Sequence, residues 1–182
     1  MMRGICLLED GFEETEAIST HDILTRTHEI ELDMVSCNGR GEVQTSMGLI
    51  IKCKKCLEEV ELKDYEFCVL PGGKRGVDNL KANGKAMNAV KSFIKEGKPV
   101  YAICAAPSIL GELGYLDGKN YTCFPGFQVG KGNYIHTGSV VDGNLITGHS
   151  MFYTIEFAEN IVKSLLGEEA LDRIAQGTKG LR

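Results

Sequence analysis

A chain of 182 residues with 43% hydrophobic and 25% charged side chains is long enough for one hydrophobic core and too apolar for a disordered segment. Its formal net charge of −5 argues against nucleic acid or an anionic membrane as partner, and no run of about 18 apolar residues offers a membrane span. Seven cysteines, an odd count at irregular spacing, point to reduced thiols in the cytoplasm and not to a disulfide framework. Met1-Met2-Arg3-Gly4 leads directly into an apolar run, so no signal peptide is expected.

In chain order, Gly4-Ile5-Cys6-Leu7-Leu8-Glu9 reads as a strand buried on both faces and ended by Asp10-Gly11. Residues 13–26 follow a helical period, with Ala17, Ile18, His21, Ile23 and Leu24 on one face. Glu13, Glu14 and Glu16 there complement the positive end of the helix dipole. Ile30 to Ser36 alternates as a second strand, and residues 43–53, broken at Met47-Gly48, suggest a hairpin. Tyr65 to Leu70 is a buried strand stopped by Pro71-Gly72-Gly73. Ala86 to Lys95 is an amphipathic helix, and Val100 to Ile103 is a strand that runs into a helix ending near Leu113. Residues 121–146 look β-rich and end in a strand over 144–147. A helix over 153–166 presents Ile155, Ala158, Ile161, Val162 and Leu165, and residues 168–182 add one short helix. Strands alternating with helices make this a single α/β domain over 1–182 with a mainly parallel sheet.

Such sheets place their sites at the carboxyl ends of strands. Cys104 lies between a buried strand and a helix, beside Ala105 and Ala106, as a strand-turn-helix nucleophile elbow requires. A helix N-terminus there lowers a thiol pKa from about 8.5 toward roughly 3.5–7.5, so Cys104 is expected to be activated; the bland alternative is an inert buried cysteine.

Gly11-Phe12-Glu13-Glu14-Thr15-Glu16-Ala17, Val69-Leu70-Pro71-Gly72-Gly73 and Ala102-Ile103-Cys104-Ala105-Ala106-Pro107 resemble the three signature segments of the ThiJ/PfpI superfamily. The nearest branch is that of the DJ-one (Parkinsonism-associated deglycase) proteins and their bacterial members. The resemblance implies a flavodoxin-like three-layer sandwich of the class I glutamine amidotransferase type, usually a homodimer. It makes Cys104 the nucleophilic, oxidisable thiol and Glu14 its protonated acidic partner, able to donate a hydrogen bond to a thiolate or sulfinate. Gly73 and Ala105 would offer backbone N–H groups to an oxyanion.

The chain departs from that pattern at Phe124, where glyoxalase-type members carry a histidine. Met47 and His149 stand where two pocket arginines are found, so the pocket should be less cationic, and His149 is a candidate substitute base. His136 is expected to be structural, His21 to be a core histidine on the inner face of the first helix, and His28 to lie in a loop. Cys53-Lys54-Lys55-Cys56 is a candidate redox dithiol, but no second pair completes a metal site, and neither metal nor organic cofactor is expected. The expected activity is cysteine-dependent hydrolysis of reactive carbonyls or glycated protein, of the glyoxalase or deglycase type. The alternative is a redox sensor or chaperone in which Cys104 is oxidised to a sulfinate held by Glu14. A peptidase is disfavoured because Ala105, not histidine, follows Cys104.

Overall fold

The computed structural model describes Met1–Gly180. Its elements in chain order are β1 (Met2–Leu8), α1 (Glu14–Thr25), β2 (Ile30–Ser36), β3 (Glu42–Gln44), β4 (Ile50–Lys52), β5 (Lys55–Cys56), β6 (Phe67–Leu70), α2 (Lys74–Ala82), α3 (Gly84–Lys95) and β7 (Val100–Ile103). There follow α4 (Pro107–Glu112), β8 (Asn120–Tyr121), β9 (Asn133–Tyr134), β10 (Ser139–Asp142), β11 (Leu145–Gly148), α5 (Thr154–Leu166) and α6 (Glu168–Thr178). A seven-stranded sheet runs in the order β10-β11-β7-β6-β1-β2-β5, parallel except for β10.

Burial on both faces explains the unbroken apolar runs of β1, β6 and β7. One face packs under α2, α3 and α4 through Val77, Leu80, Val90, Phe93 and Ile109. The other packs under α1, α5 and α6 through Ala17, Leu24, Phe157, Ile161 and Ile174. This is the three-layer, mainly parallel α/β sandwich that the sequence implied. After β1 the chain moves outward to β2 and β5, then returns to the opposite side of β1 as β6, β7 and β11. Successive connections therefore diverge between β1 and β6, and a crevice opens there at the carboxyl ends of the strands.

Two segments and two side chains differ from the sequence reading. Lys74–Ala82 is a helix that Gly72, Gly73 and Gly76 concealed; it buries Gly76, Val77 and Leu80. Residues 122–132 are irregular between the two-residue strands β8 and β9, because the glycines there form turns and not ladders. Ile18 and Ile155, expected on inner helix faces, are 42% and 45% exposed.

Candidate active site

The loops after β1, β6 and β7 meet at the crevice. Cys104, directly after β7, has a φ of +64°, a left-handed conformation that costs a side-chain-bearing residue about 1–2 kcal/mol. Backbone bonds on both sides hold it there: the Cys104 N–H donates to Gly148 O at 2.8 Å, and Cys104 O accepts the Phe124 N–H at 2.9 Å. The strand, the turn and Pro107 at the first turn of α4 together make the expected elbow. Gly72 must lack a side chain for the elbow to close, since a Cβ there would lie 2.6 Å from Glu16 Oε2 and 2.7 Å from Cys104 Cβ. Gly73 has a φ of +85°, and its backbone N–H and that of Ala105 both hydrogen-bond the Cys104 sulfur. The two expected donors thus converge on the thiol.

The acidic partner differs from the expectation. Glu14 does not face Cys104. Its Oε2 accepts the Ser46 hydroxyl at 2.9 Å. Partial burial opposes its charge, but hydrogen bonds from its own N–H, Ser46, Met47 and Thr45 outweigh burial and hold the carboxyl below its ordinary value. A protonated Glu14 beside the thiol is therefore corrected to Glu16, two residues further along α1.

Glu16 is buried, accepts the Gly72 N–H on Oε2 at 2.6 Å and hydrogen-bonds the Cys104 side chain. Its Oε1 has no hydrogen-bond partner, which favours the neutral acid. Burial, reinforced by the nearby Glu13 charge, pushes the carboxyl up to about 7 against the opposing Gly72 and Cys104 hydrogen bonds. Burial and the Glu16 carboxylate likewise push the Cys104 thiol up, against the Gly73 and Ala105 N–H groups. Burial thus opposes the lowering expected from the helix N-terminus, and α4 is only six residues long. The charge state of each group therefore bears on the titration of the other.

A cleft of about 280 Å³ opens above the thiol. Gly73, Cys104 and Ala105 form its floor, Phe124, Phe127 and Met151 an apolar wall, and Glu13 and Glu16 an acidic side. Phe124 occupies this wall as the sequence suggested, edge-on to Phe127 at 6.3 Å between ring centroids.

Met47 is not at the cleft; it sits in the β3–β4 turn and is 78% exposed. His149 is outside the lining too. Its ring packs behind Phe124 at 6.4 Å and stacks on His136 at 5.1 Å, with both ring nitrogens buried and without partners. Burial, then His136, lowers its pKa. Cys53 is buried and its thiol is pushed up to about 11, first by burial and then by Cys56, so the C-x-x-C pair lacks an activated thiolate at Cys53. Cys6, Cys37 and Cys68 are buried in the core. Among the described residues no group of three or more His, Cys, Asp or Glu side chains is arranged to hold a metal ion.

The chain matches the DJ-1/PfpI family over residues 2–164. It belongs to that family. Protein DJ-1 homolog B of Arabidopsis thaliana is 32% identical over 94% of this chain, which spans only 40% of that longer protein. A Pyrococcus abyssi protein named as a deglycase is 33% identical over 80% of this chain and 89% of its own length. Among solved structures, a cysteine-to-alanine variant of a DJ-1 superfamily protein from Salmonella typhimurium superposes with a TM-score of 0.92 at 32% identity, covering 98% of each chain. The resemblance drawn from the three sequence segments is thereby borne out, and so is the DJ-1/PfpI fold.

Proposed function

We propose that this DJ-1/PfpI protein acts on reactive carbonyl compounds through Cys104, with Glu16 in the acidic role first assigned to Glu14. The observation that carries this reading is the convergence of the Gly73 and Ala105 N–H groups and the Glu16 carboxyl on one strained thiol beneath an open cleft. The deglycase-named Pyrococcus relative supports the same substrate class.

For a 2-oxoaldehyde, the Cys104 proton passes to the Glu16 carboxylate as sulfur bonds to the aldehyde carbon. The resulting oxyanion takes the backbone N–H donors and then the Glu16 proton, giving a hemithioacetal. Glu16 then removes the proton on that carbon, and a proton returns to the neighbouring carbon. A thioester forms, and water cleaves it to a 2-hydroxy acid and free Cys104. One aldehyde and one water enter, and one acid leaves. A carboxyl near pH 7 suits both halves of this exchange. Phe124 supplies no proton, so the work of a second base falls to Glu16 and water. Methylglyoxal turnover should vanish in Cys104→Ser; unchanged turnover would end this reading.

The same donors support a second reading. One peroxide converts the thiol to a sulfenic acid and a second gives the sulfinate, each step releasing water; the sulfinate oxygens would take the Gly73 and Ala105 N–H groups and the neutral Glu16 O–H. Intact mass after peroxide separates the two: two added oxygens at Cys104 with no carbonyl turnover favours a sensor. We further propose a cytoplasmic homodimer. Ile18 on α1, Ile155 on α5 and Met47, Leu49 and Ile50 on the hairpin are exposed apolar side chains that a second copy would cover.

A further inference from the structure

The cleft above Cys104 carries a substrate preference, an inference that rests on the proposed carbonyl chemistry. Its wall is built from Phe124, Phe127 and Met151, and two of these stand well out of the core, Phe124 at 44% and Met151 at 53% exposed. The wall is also fixed. The Phe124 N–H is tied to Cys104 O at 2.9 Å, the Phe127 N–H to Phe124 O at 3.1 Å, and the Gly126 N–H to the Gln128 side chain at 2.8 Å. The two rings meet edge to face, so an apolar surface with an ordered backbone stands beside the sulfur.

The charges of the cleft point the same way. Glu13 and Glu16 line one side; Lys74 is the cation at the rim, and its ammonium is held 2.6 Å from Asp78 on its own helix. A carboxylate or phosphate on the substrate would meet the Glu13 carboxylate on that side and no cation at the floor.

We propose that this site selects uncharged carbonyl compounds bearing an apolar or aromatic substituent, with Phe124, Phe127 and Met151 as the specificity surface, and that it rejects anionic ones. A phenyl group that covers roughly 60 Å² of apolar surface on this wall gains about tenfold.

The test does not need turnover. Alkylation of Cys104 by 2-bromoacetophenone, iodoacetamide and iodoacetate is followed by intact mass on the full chain, with Cys104→Ser as the blank for the other thiols, and each rate is divided by the rate of the same reagent with glutathione. The expected result is a preference of about tenfold or more for bromoacetophenone over iodoacetamide, with iodoacetate slower by a similar factor. Phe127→Ala should erode the first ratio. Met151→Lys, a change at an exposed side chain, should raise the iodoacetate rate severalfold. Equal normalised rates for the three reagents, or no gain for iodoacetate in Met151→Lys, overturn the preference while leaving the carbonyl reaction standing. If no reagent reaches Cys104, both fall.

Discussion

Glu16 lies beside Cys104 at the elbow, both packed against Gly72, while its Oε2 accepts the Gly72 N–H at 2.6 Å. This relationship ties three chain segments together, the first turn of α1, the Gly72-Gly73 turn after β6 and the elbow after β7. A charge on Glu16 opposes the Cys104 thiolate, and the cleft reaches the sulfur.

Glu16 should leave its mark on stability. Its carboxyl is raised from 4.5 to about 7, so the folded state binds this proton more tightly than the unfolded chain does. Its contribution is present below about pH 4.5 and lost as pH rises through about 7. At about 1.4 kcal/mol per pKa unit, Glu16→Gln should be roughly 3 kcal/mol more stable than the parent at pH 8 relative to their difference at pH 4. Urea unfolding at the two pH values measures this; a difference independent of pH contradicts it.

Space at the elbow predicts a contrast between two glycines. Gly72→Ala would put a Cβ 3.0 Å or less from Glu16, Cys104 and Ile103 and should cost about 1–3 kcal/mol, together with the activity. Gly84→Ala, at the start of α3 with nothing within 4 Å, should be neutral or stabilise by up to about 1 kcal/mol. Thermal denaturation of both variants checks the pair.

His149 packs behind Phe124 and does not line the cleft. His149→Ala should therefore reduce carbonyl turnover less than about fivefold, through looser support of the Phe124 wall. A loss of a hundredfold or more, within the range typical of a lost general base, would restore the role of substitute base.

Cys53 is buried away from the cleft, and burial, then Cys56, push its thiol up to about 11, whereas Cys104 opens onto the cleft. Iodoacetamide should leave Cys53 unlabelled in the native protein and label it in denaturant, and Cys53→Ser should retain full turnover. Rapid native labelling would revive the dithiol reading.

The fold was largely legible in the sequence because β1, β6 and β7, buried on both faces, leave continuous apolar runs, and their ends carry the site. The elbow was legible from Cys104, Ala105 and Ala106. The acid was not: Glu13, Glu14 and Glu16 crowd one helix turn, and all three read equally well as dipole partners. Helical phase held the missing signal. Glu16, Thr20 and Leu24 fall at four-residue spacing and are all buried, whereas Glu14 shares its face with exposed Ile18. The thiol's direction of titration was also illegible, since desolvation and the Glu16 charge arise only once distant segments meet.

The most direct test compares methylglyoxal turnover in Glu16→Gln and Glu14→Gln, with circular dichroism to verify folding. The pairing of Glu16 with Cys104 predicts a loss of about a hundredfold or more in Glu16→Gln and near-parental activity in Glu14→Gln. Full activity in Glu16→Gln, with loss in Glu14→Gln, would contradict it.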